Sequence, residues 1–238
     1  MRVVIAIFRR EFASYFNSPL AYITLPVFLL LIGLFSLVFN DLFDAGLATM
    51  RTVFFWTAMF FVLLAPALTM RLFAEEKRTR SLELIATMPI HEPQLVIGKY
   101  LAALCVLLLA LAMTLSYPIT IAMYGDLDWG PVMGGYLGLA LLGASYAAIG
   151  TAASSLTSNQ IVAFLIAMAA CLVPYVTGLF LHRVPAEILP LVQYLSFDYH
   201  FNSLSRGVID TRNIVFYGSV IGVALHVAVF SLEQRRLS

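Results

Sequence analysis

The chain has 238 residues, 61% hydrophobic and 11% charged, with a net charge of +1. Soluble domains sit at roughly 45–50% apolar and about 25% charged, so a water-exposed globule is excluded and lipid is the solvent for most of this surface. A near-zero charge also excludes a nucleic-acid partner, whose backbone demands a basic face.

Residues 1–17 predict an amphipathic helix lying in the membrane interface. Arg2, Arg9, Arg10 and Asn17 fall on one side, and Val4, Ile5, Phe8, Phe12, Tyr15 and Phe16 on the other. Arg9-Arg10 sits inside this pattern with Glu11 directly after it, which argues against a twin-arginine signal. Asn17-Ser18-Pro19 turns the chain into the first apolar run, which is too long for a signal-peptide core and lacks a small-residue cleavage site. A membrane span needs about 20 apolar residues. The first two spans are expected at 20–39 and 53–73.

Between the second and third spans lies the densest charge in the chain. Glu75, Glu76, Lys77, Arg78, Arg80 and Glu83 fall within residues 75–83. Pro89 biases Met88 away from helix, and Leu82, Ile85 and Met88 share one face with Leu84 beside it. A short helix over 74–90 is expected, charged at its start and apolar on one face. A positive-inside loop explains less, because acids contribute little to topology and a free loop has no use for an apolar stripe. A soluble partner docking on the segment explains both features.

The third span is expected at 95–124, kinked or shortened near Pro118. From Trp129 to Leu181 there is no Asp, Glu, Lys, Arg or His. That run breaks best at Thr157-Ser158-Asn159-Gln160, giving spans at 132–156 and 161–181. The fourth span carries small residues at spacing four, among them Gly134, Gly138, Gly143 and Gly150. They allow close helix packing in lipid, within the chain or between subunits. Residues 182–213 are too polar to span and too apolar for a free loop. They predict a pair of short amphipathic helices dipping into the outer leaflet. The last span is expected at 214–232. Cys105 and Cys171 lie in apolar runs without metal-ligand spacing and read as small buried hydrophobes. The expected fold is therefore all-α, a single domain of six transmembrane helices, because backbone in lipid must pair its polar groups internally.

With the N-terminus inside, ten Lys and Arg residues lie on the cytoplasmic side and four outside, which supports N-in and C-in. The charged stretch then faces the cytoplasm.

EEKRTRSLELIATMPIHEPQLVIGKYLA resembles the cytoplasmic segment of ABC-2-type transporter permeases, in which E-K-R-x-G-T-L-E-L-L-x-x-x-P precedes the third span. Glu76, Lys77, Arg78, Leu82, Glu83, Leu84 and Pro89 match. Arg80 stands where that pattern has Gly, and Ser81 where it has Thr. A second stretch, Tyr194 to Tyr217, is similar to a subgroup that includes permeases of gliding motility and of nitrous-oxide-reductase maturation. There Ser196, His200, Phe201, Arg206, Gly207, Ile209 and Asp210 match S-x-x-x-H-F…R-G-x-I-D. The resemblance spans essentially the whole chain. It implies an exporting permease of the bacterial inner membrane, paired with a second copy or a related permease and driven by two separate ATP-binding cassette subunits. The implied docking residues are Glu75, Glu76, Lys77, Arg78, Arg80, Ser81, Leu82, Glu83 and Leu84, on a coupling helix that fits a groove of the ATPase. ATP and Mg belong to that partner. This chain has no P-loop, since Ile97-Gly98-Lys99-Tyr100 lacks the first glycine and the Ser/Thr.

Two other classes fare worse. An intramembrane enzyme needs nucleophiles or ionisable groups at membrane depth. His226 is the main one, without an obvious acidic or Cys partner, and reads as a polar packing contact. Ser145, Ser154 and Ser155 have no evident base, and neither HExxH nor GxSxG occurs. An ion-coupled transporter or channel, the stronger alternative, shows buried carboxylates or broken midplane helices. Here the acids sit in loops or near span ends, while Pro66, Pro118 and Pro174 are possible break points. On the outer side, His200, Arg206 and Asp210 read as residues that tie the segment together by hydrogen bonds and ion pairs, with gating or a handover to a periplasmic partner as the other reading.

Overall fold

Long apolar runs free of turn formers can pair their backbone in lipid only as helices. A computed structural model of the protein describes residues 2–38, 49–81, 91–183, 185 and 187–237, and every regular element among them is helical. In chain order these are α1 (Arg2–Asn17), α2 (Pro19–Val38), α3 (Arg51–Thr69), α4 (Arg71–Arg78), α5 (Glu92–Met113), α6 (Ser116–Tyr124), α7 (Trp129–Leu156), α8 (Gln160–Leu179), a 3₁₀ turn (Leu181–Arg183), α9 (Leu189–Leu195), α10 (Phe197–Ser205) and α11 (Thr211–Leu237). Six stretches are long and apolar enough to cross a membrane: α2, α3 with α4, α5 with α6, α7, α8 and α11.

Two spans differ from expectation in where they break. The second does not give way to a separate charged helix at residue 74. Its helix pauses at Met70 and resumes as α4, so Glu75–Arg78 ride on an extension of the span. Pro66, which has no N–H to give the turn before it, lies one turn ahead of the pause. The third span breaks at Thr114-Leu115, ahead of Pro118. Pro118 falls in the first turn of α6, where the missing N–H has no intrahelical partner to lose.

α7 is the axis of the bundle. It packs on α3, α4, α5, α8, α10 and α11. About two thirds of its apolar window is buried (67%), and the α3–α4 and α5–α6 windows are each 61% buried. For α2, α8 and α11 the figures are 28%, 22% and 28%, so these form the periphery. Glycines set the close approaches. A Cβ at Gly150 would lie 2.0 Å from Thr69 Oγ1, and one at Gly134 would lie 2.3 Å from the Leu204 carbonyl. Gly143 faces the Phe61 ring, and Gly138 faces Leu204 and Phe201. All four glycines of the small-residue pattern are thus filled by neighbours within the same chain.

α1 lies against α5 and, less extensively, α2. A Cβ at Gly98 would be 2.8 Å from Ile7 Cγ2, so α5 needs its glycine for α1 to seat. Tyr15 is fully buried, while Arg9 and Arg10 are exposed.

Candidate functional site

The C-terminal end of α7 and the pause between α3 and α4 meet in a polar joint. α4 starts without a side-chain cap of its own, leaving its first N–H groups orphaned. Ser154, on α7, caps it from outside. Its Oγ accepts from the Phe73 and Ala74 N–H groups at 3.0 and 3.1 Å and donates to the Met70 carbonyl at 2.9 Å. Ser155 carries the other half. Its carbonyl, at the negative end of α7, accepts from Lys77 Nζ and, at 2.8 Å, from Ser231 of α11.

Beside this joint a lysine is buried. Lys99 of α5 is 1% exposed. Its ammonium donates to Glu76 Oε1 at 2.8 Å, Glu11 Oε1 at 3.1 Å and the Leu72 carbonyl at 2.8 Å. An ammonium has three protons, and all three are used. Arg10 Nη2 reaches the same two carboxylates from the exposed side, at 3.0 Å to Glu11 and 3.1 Å to Glu76. Two cations and two carboxylates balance, which makes so buried a charge tolerable. Three elements remote in sequence are thereby locked together: α1 through Glu11, α4 through Glu76 and α5 through Lys99. Nearby, the Arg71 guanidinium lies 4.5 Å over the Tyr15 ring, and the Tyr15 hydroxyl donates to the Leu68 carbonyl at 2.7 Å. Burial pushes the Tyr15 phenol well above its usual pKa, against the opposing pull of Arg71, so it acts as a fixed donor.

The charged island is thus divided. Glu76 and Lys77 turn inward and bind the bundle. Glu75, Arg78 and Arg80 are exposed, with no side-chain partner among the described residues. Arg80, where the resembling pattern has glycine, has φ +57. It follows the C-cap Thr79 and takes the left-handed conformation that ends many helices and that glycine adopts at least cost. Ser81 Oγ lies 3.0 Å from Thr79 Oγ1. Leu82, Glu83 and Leu84, the remaining expected docking residues, lie outside the described residues, as does the rest of the expected helix to residue 90.

The outer segment gathers its expected residues at the other end of α7. Ser196 caps α10, accepting from the Tyr199 N–H at 3.2 Å. Phe201 is buried against Gly138. His200 is 3% exposed; its Nε2 donates to the Tyr194 carbonyl at 3.0 Å, its Nδ1 lies 2.7 Å from Asn213 Oδ1, and its ring stacks on Phe216 with centroids 4.0 Å apart. Gly207, at φ +82, ends α10 against Gly130 and Pro131, where a side chain has neither the dihedral nor the space. Asp210 accepts from the Arg212 N–H at 2.9 Å and starts α11. The expected ion pairing is not found: Arg206 is exposed, and none joins it to Asp210 among the described residues. Asp198, which the sequence reading passed over, is 6% exposed and bonded to Asn202 at 2.9 Å. Burial raises its carboxyl to about 6. His226, read as a packing contact, is exposed on α11.

Sequence reasoning missed Lys99, Glu11, Ser154 and Ser155 as parts of the inner joint. One signal was available. On α1, Val4, Ile7, Phe8, Glu11 and Tyr15 share one face at helical spacing, and an acid inside an apolar stripe asks for a buried cation.

A family model described as ABC-2 family transporter protein matches residues 40–230. No curated protein matches the chain.

Proposed function

The chain belongs to the ABC-2 family of transporter proteins, and from that premise we propose that it is the permease of an exporter driven by two copies of a separate ATP-binding cassette ATPase, which hold the ATP and Mg. The observation that carries this reading is the inner joint. A charged helix leaves the bundle at α4, presents Glu75, Arg78 and Arg80 outward, and is fastened behind by Glu76 and Lys77 to α1, α5 and α7. Such a part converts a push from outside into movement of several spans at once. The segment that follows, with Ser81, Leu82, Glu83 and Leu84, is the plug for the ATPase groove.

In this reading the N- and C-termini face the cytoplasm and the protein sits in the bacterial inner membrane, paired with a second copy or a related permease. The outer segment with Ser196, His200, Phe201, Arg206, Gly207 and Asp210 then faces the periplasm, where a periplasmic partner meets it. The pattern of those residues favours the subgroup that serves gliding motility and nitrous-oxide-reductase maturation.

The test is a pull-down of the ATPase by the permease, with Glu83→Lys as the variant. Glu83 is a docking residue, so the variant is expected to insert normally while losing most of the captured ATPase. Unchanged capture would remove the docking role. Orientation is tested by Thr79→Cys with Cys105 and Cys171 replaced by alanine. Labelling of intact cells by a membrane-impermeant thiol reagent would place α4 on the wrong side and end the reading.

A further inference from the structure

The stretch from Ala67 to Arg78 contains no proline and no glycine, and ten of its twelve residues are Ala, Leu, Met, Arg, Glu or Lys. These are the strongest helix formers. Pro66 weakens the turn before itself and leaves residues 69–73 untouched. Met70 even keeps helical dihedrals, φ −54 and ψ −32. The local sequence therefore calls for one continuous helix, yet the helix is interrupted at Met70. The break is imposed from outside.

Three carbonyls across the pause are taken by side chains of three other helices. Tyr15 of α1 donates to Leu68 at 2.7 Å, Ser154 of α7 to Met70 at 2.9 Å, and Lys99 of α5 to Leu72 at 2.8 Å. Ser154 does more than the others, because its Oγ also accepts from the Phe73 and Ala74 N–H groups. In an unbroken helix those two groups bond to the Thr69 and Met70 carbonyls, four residues back. Ser154 thus stands in the ladder itself, and a side chain inserted there bends a helix. It also departs from its neighbours on α7. Ser145, Thr151 and Ser155 turn their hydroxyls onto carbonyls of their own helix, those of Leu141, Ala147 and Ala152. Of the four serine and threonine hydroxyls on α7, only that of Ser154 turns outward. Rotated about χ1, it has a carbonyl of its own within reach, that of Gly150 four residues back.

We propose that α3 and α4 form a two-position element, with Ser154 as the residue that positions the arm. With Ser154 inserted, the arm is bent at Met70, as seen here. With Ser154 withdrawn onto the Gly150 carbonyl, Phe73 and Ala74 return to the Thr69 and Met70 carbonyls, and one helix runs straight from Arg51 to Arg78. Neither position strands a polar group, so only a small free energy separates them. α4 has eight residues and is about 12 Å long, so straightening a bend of about 20° carries its end roughly 4 Å away from α7. Lys77, which grips the Ser155 carbonyl, lets go in the same movement. Glu76 and Lys99 have long side chains and follow the arm. Both positions belong to the chain itself and stand whether or not an ATPase docks on the arm.

The experiment uses the full-length protein purified in detergent, with Cys105 and Cys171 replaced by alanine and a trifluoromethyl probe attached through Arg78→Cys. Fluorine NMR should give a main resonance from the bent arm. Ser154→Ala should raise the share of a second resonance about tenfold. Hydrogen exchange at residues 70–78 should stay as slow in that variant as in wild type, because the amides exchange one acceptor for another. Lys77→Gln, which loosens the second grip without touching α7, should shift the shares the same way and by less. It carries the test alone if Ser154→Ala does not fold. A resonance that neither variant changes overturns the proposal. So does faster exchange at residues 70–78 in Ser154→Ala, since the arm would then have frayed instead of closing its ladder.

Discussion

At its C-terminal end α7 is held by charge and hydroxyls, and at its N-terminal end by shape and neutral hydrogen bonds. The inner joint buries Lys99 under two carboxylates and lets Ser154 cap a helix it does not belong to. The outer joint brings Gly134 against the Leu204 carbonyl and the Gly207 backbone, and fixes His200 between a carbonyl, an amide and a ring. The difference teaches how each end resists change. A buried ion pair is worth little against an apolar substitute, yet costs much when one partner alone is removed. A neutral contact loses only its own hydrogen bonds and packing. The first kind of bond fails as a unit, the second piece by piece.

The sharpest break of this comparison is Lys99→Met. It leaves Glu11 and Glu76, both mostly buried, facing each other with only the exposed Arg10 to neutralise them. The expected loss is about 3–5 kcal/mol, or roughly 6–20 °C in Tm for a chain of this size. The native thiols Cys105 and Cys171 report it through a thiol-reactive dye during heating. His200→Leu at the other end should cost about half as much, since it breaks two hydrogen bonds and leaves one amide unpaired. Adding Glu11→Gln and Glu76→Gln to Lys99→Met should return most of the lost stability. If the triple variant melts no higher than Lys99→Met alone, the charge account of the inner joint fails.

Much of this architecture was legible in the sequence. Hydropathy and length mark six spans, and small residues at spacing four mark the glycine-lined face of α7, because both signals are local. The inner joint was not, because its partners are distant: Glu11 is 88 residues from Lys99, and Glu76 is 23. Lys99 read as a cytoplasmic cation after a stray Gly-Lys, and Ser154 as a hydroxyl without a base. Nothing near either residue announces a trans cap or a three-way ammonium. The break at Met70 was equally hidden. Pro66 marks a weak turn, but only the arrival of Ser154 decides that the helix resumes and carries its charges outward.

A middle-sized effect tests the end that holds Asp198 by pH. At the outer joint, burial holds the Asp198 carboxyl near 6, above its ordinary unfolded value of about 3.9. Its contribution to stability is therefore fully present below pH 4 and is lost as pH rises through 6. Asp198→Asn keeps the neutral shape and should raise Tm at pH 7.5 by a few degrees, about 1–2 kcal/mol, while leaving it nearly unchanged at pH 4. An equal Tm increase at both pH values would show that the amide acts through packing and not through the proton.

The smallest effect tests the turn at which α4 ends. Arg80 adopts φ +57, a left-handed conformation that costs a residue with a Cβ about 1 kcal/mol and glycine almost nothing. Its side chain is exposed and makes no ion pair among the described residues, so no contact is lost with it. Arg80→Gly should then stabilise the isolated permease by about 0.5–1 kcal/mol, with part of the gain offset by the freer unfolded chain. Arg80→Ala, which keeps the Cβ and removes the charge, should not. The pair of variants also separates strain from recognition. If Arg80 contacts a docked ATPase, both substitutions weaken its capture, although only the glycine raises Tm. Equal Tm values for the two would mean that the left-handed turn carries no strain.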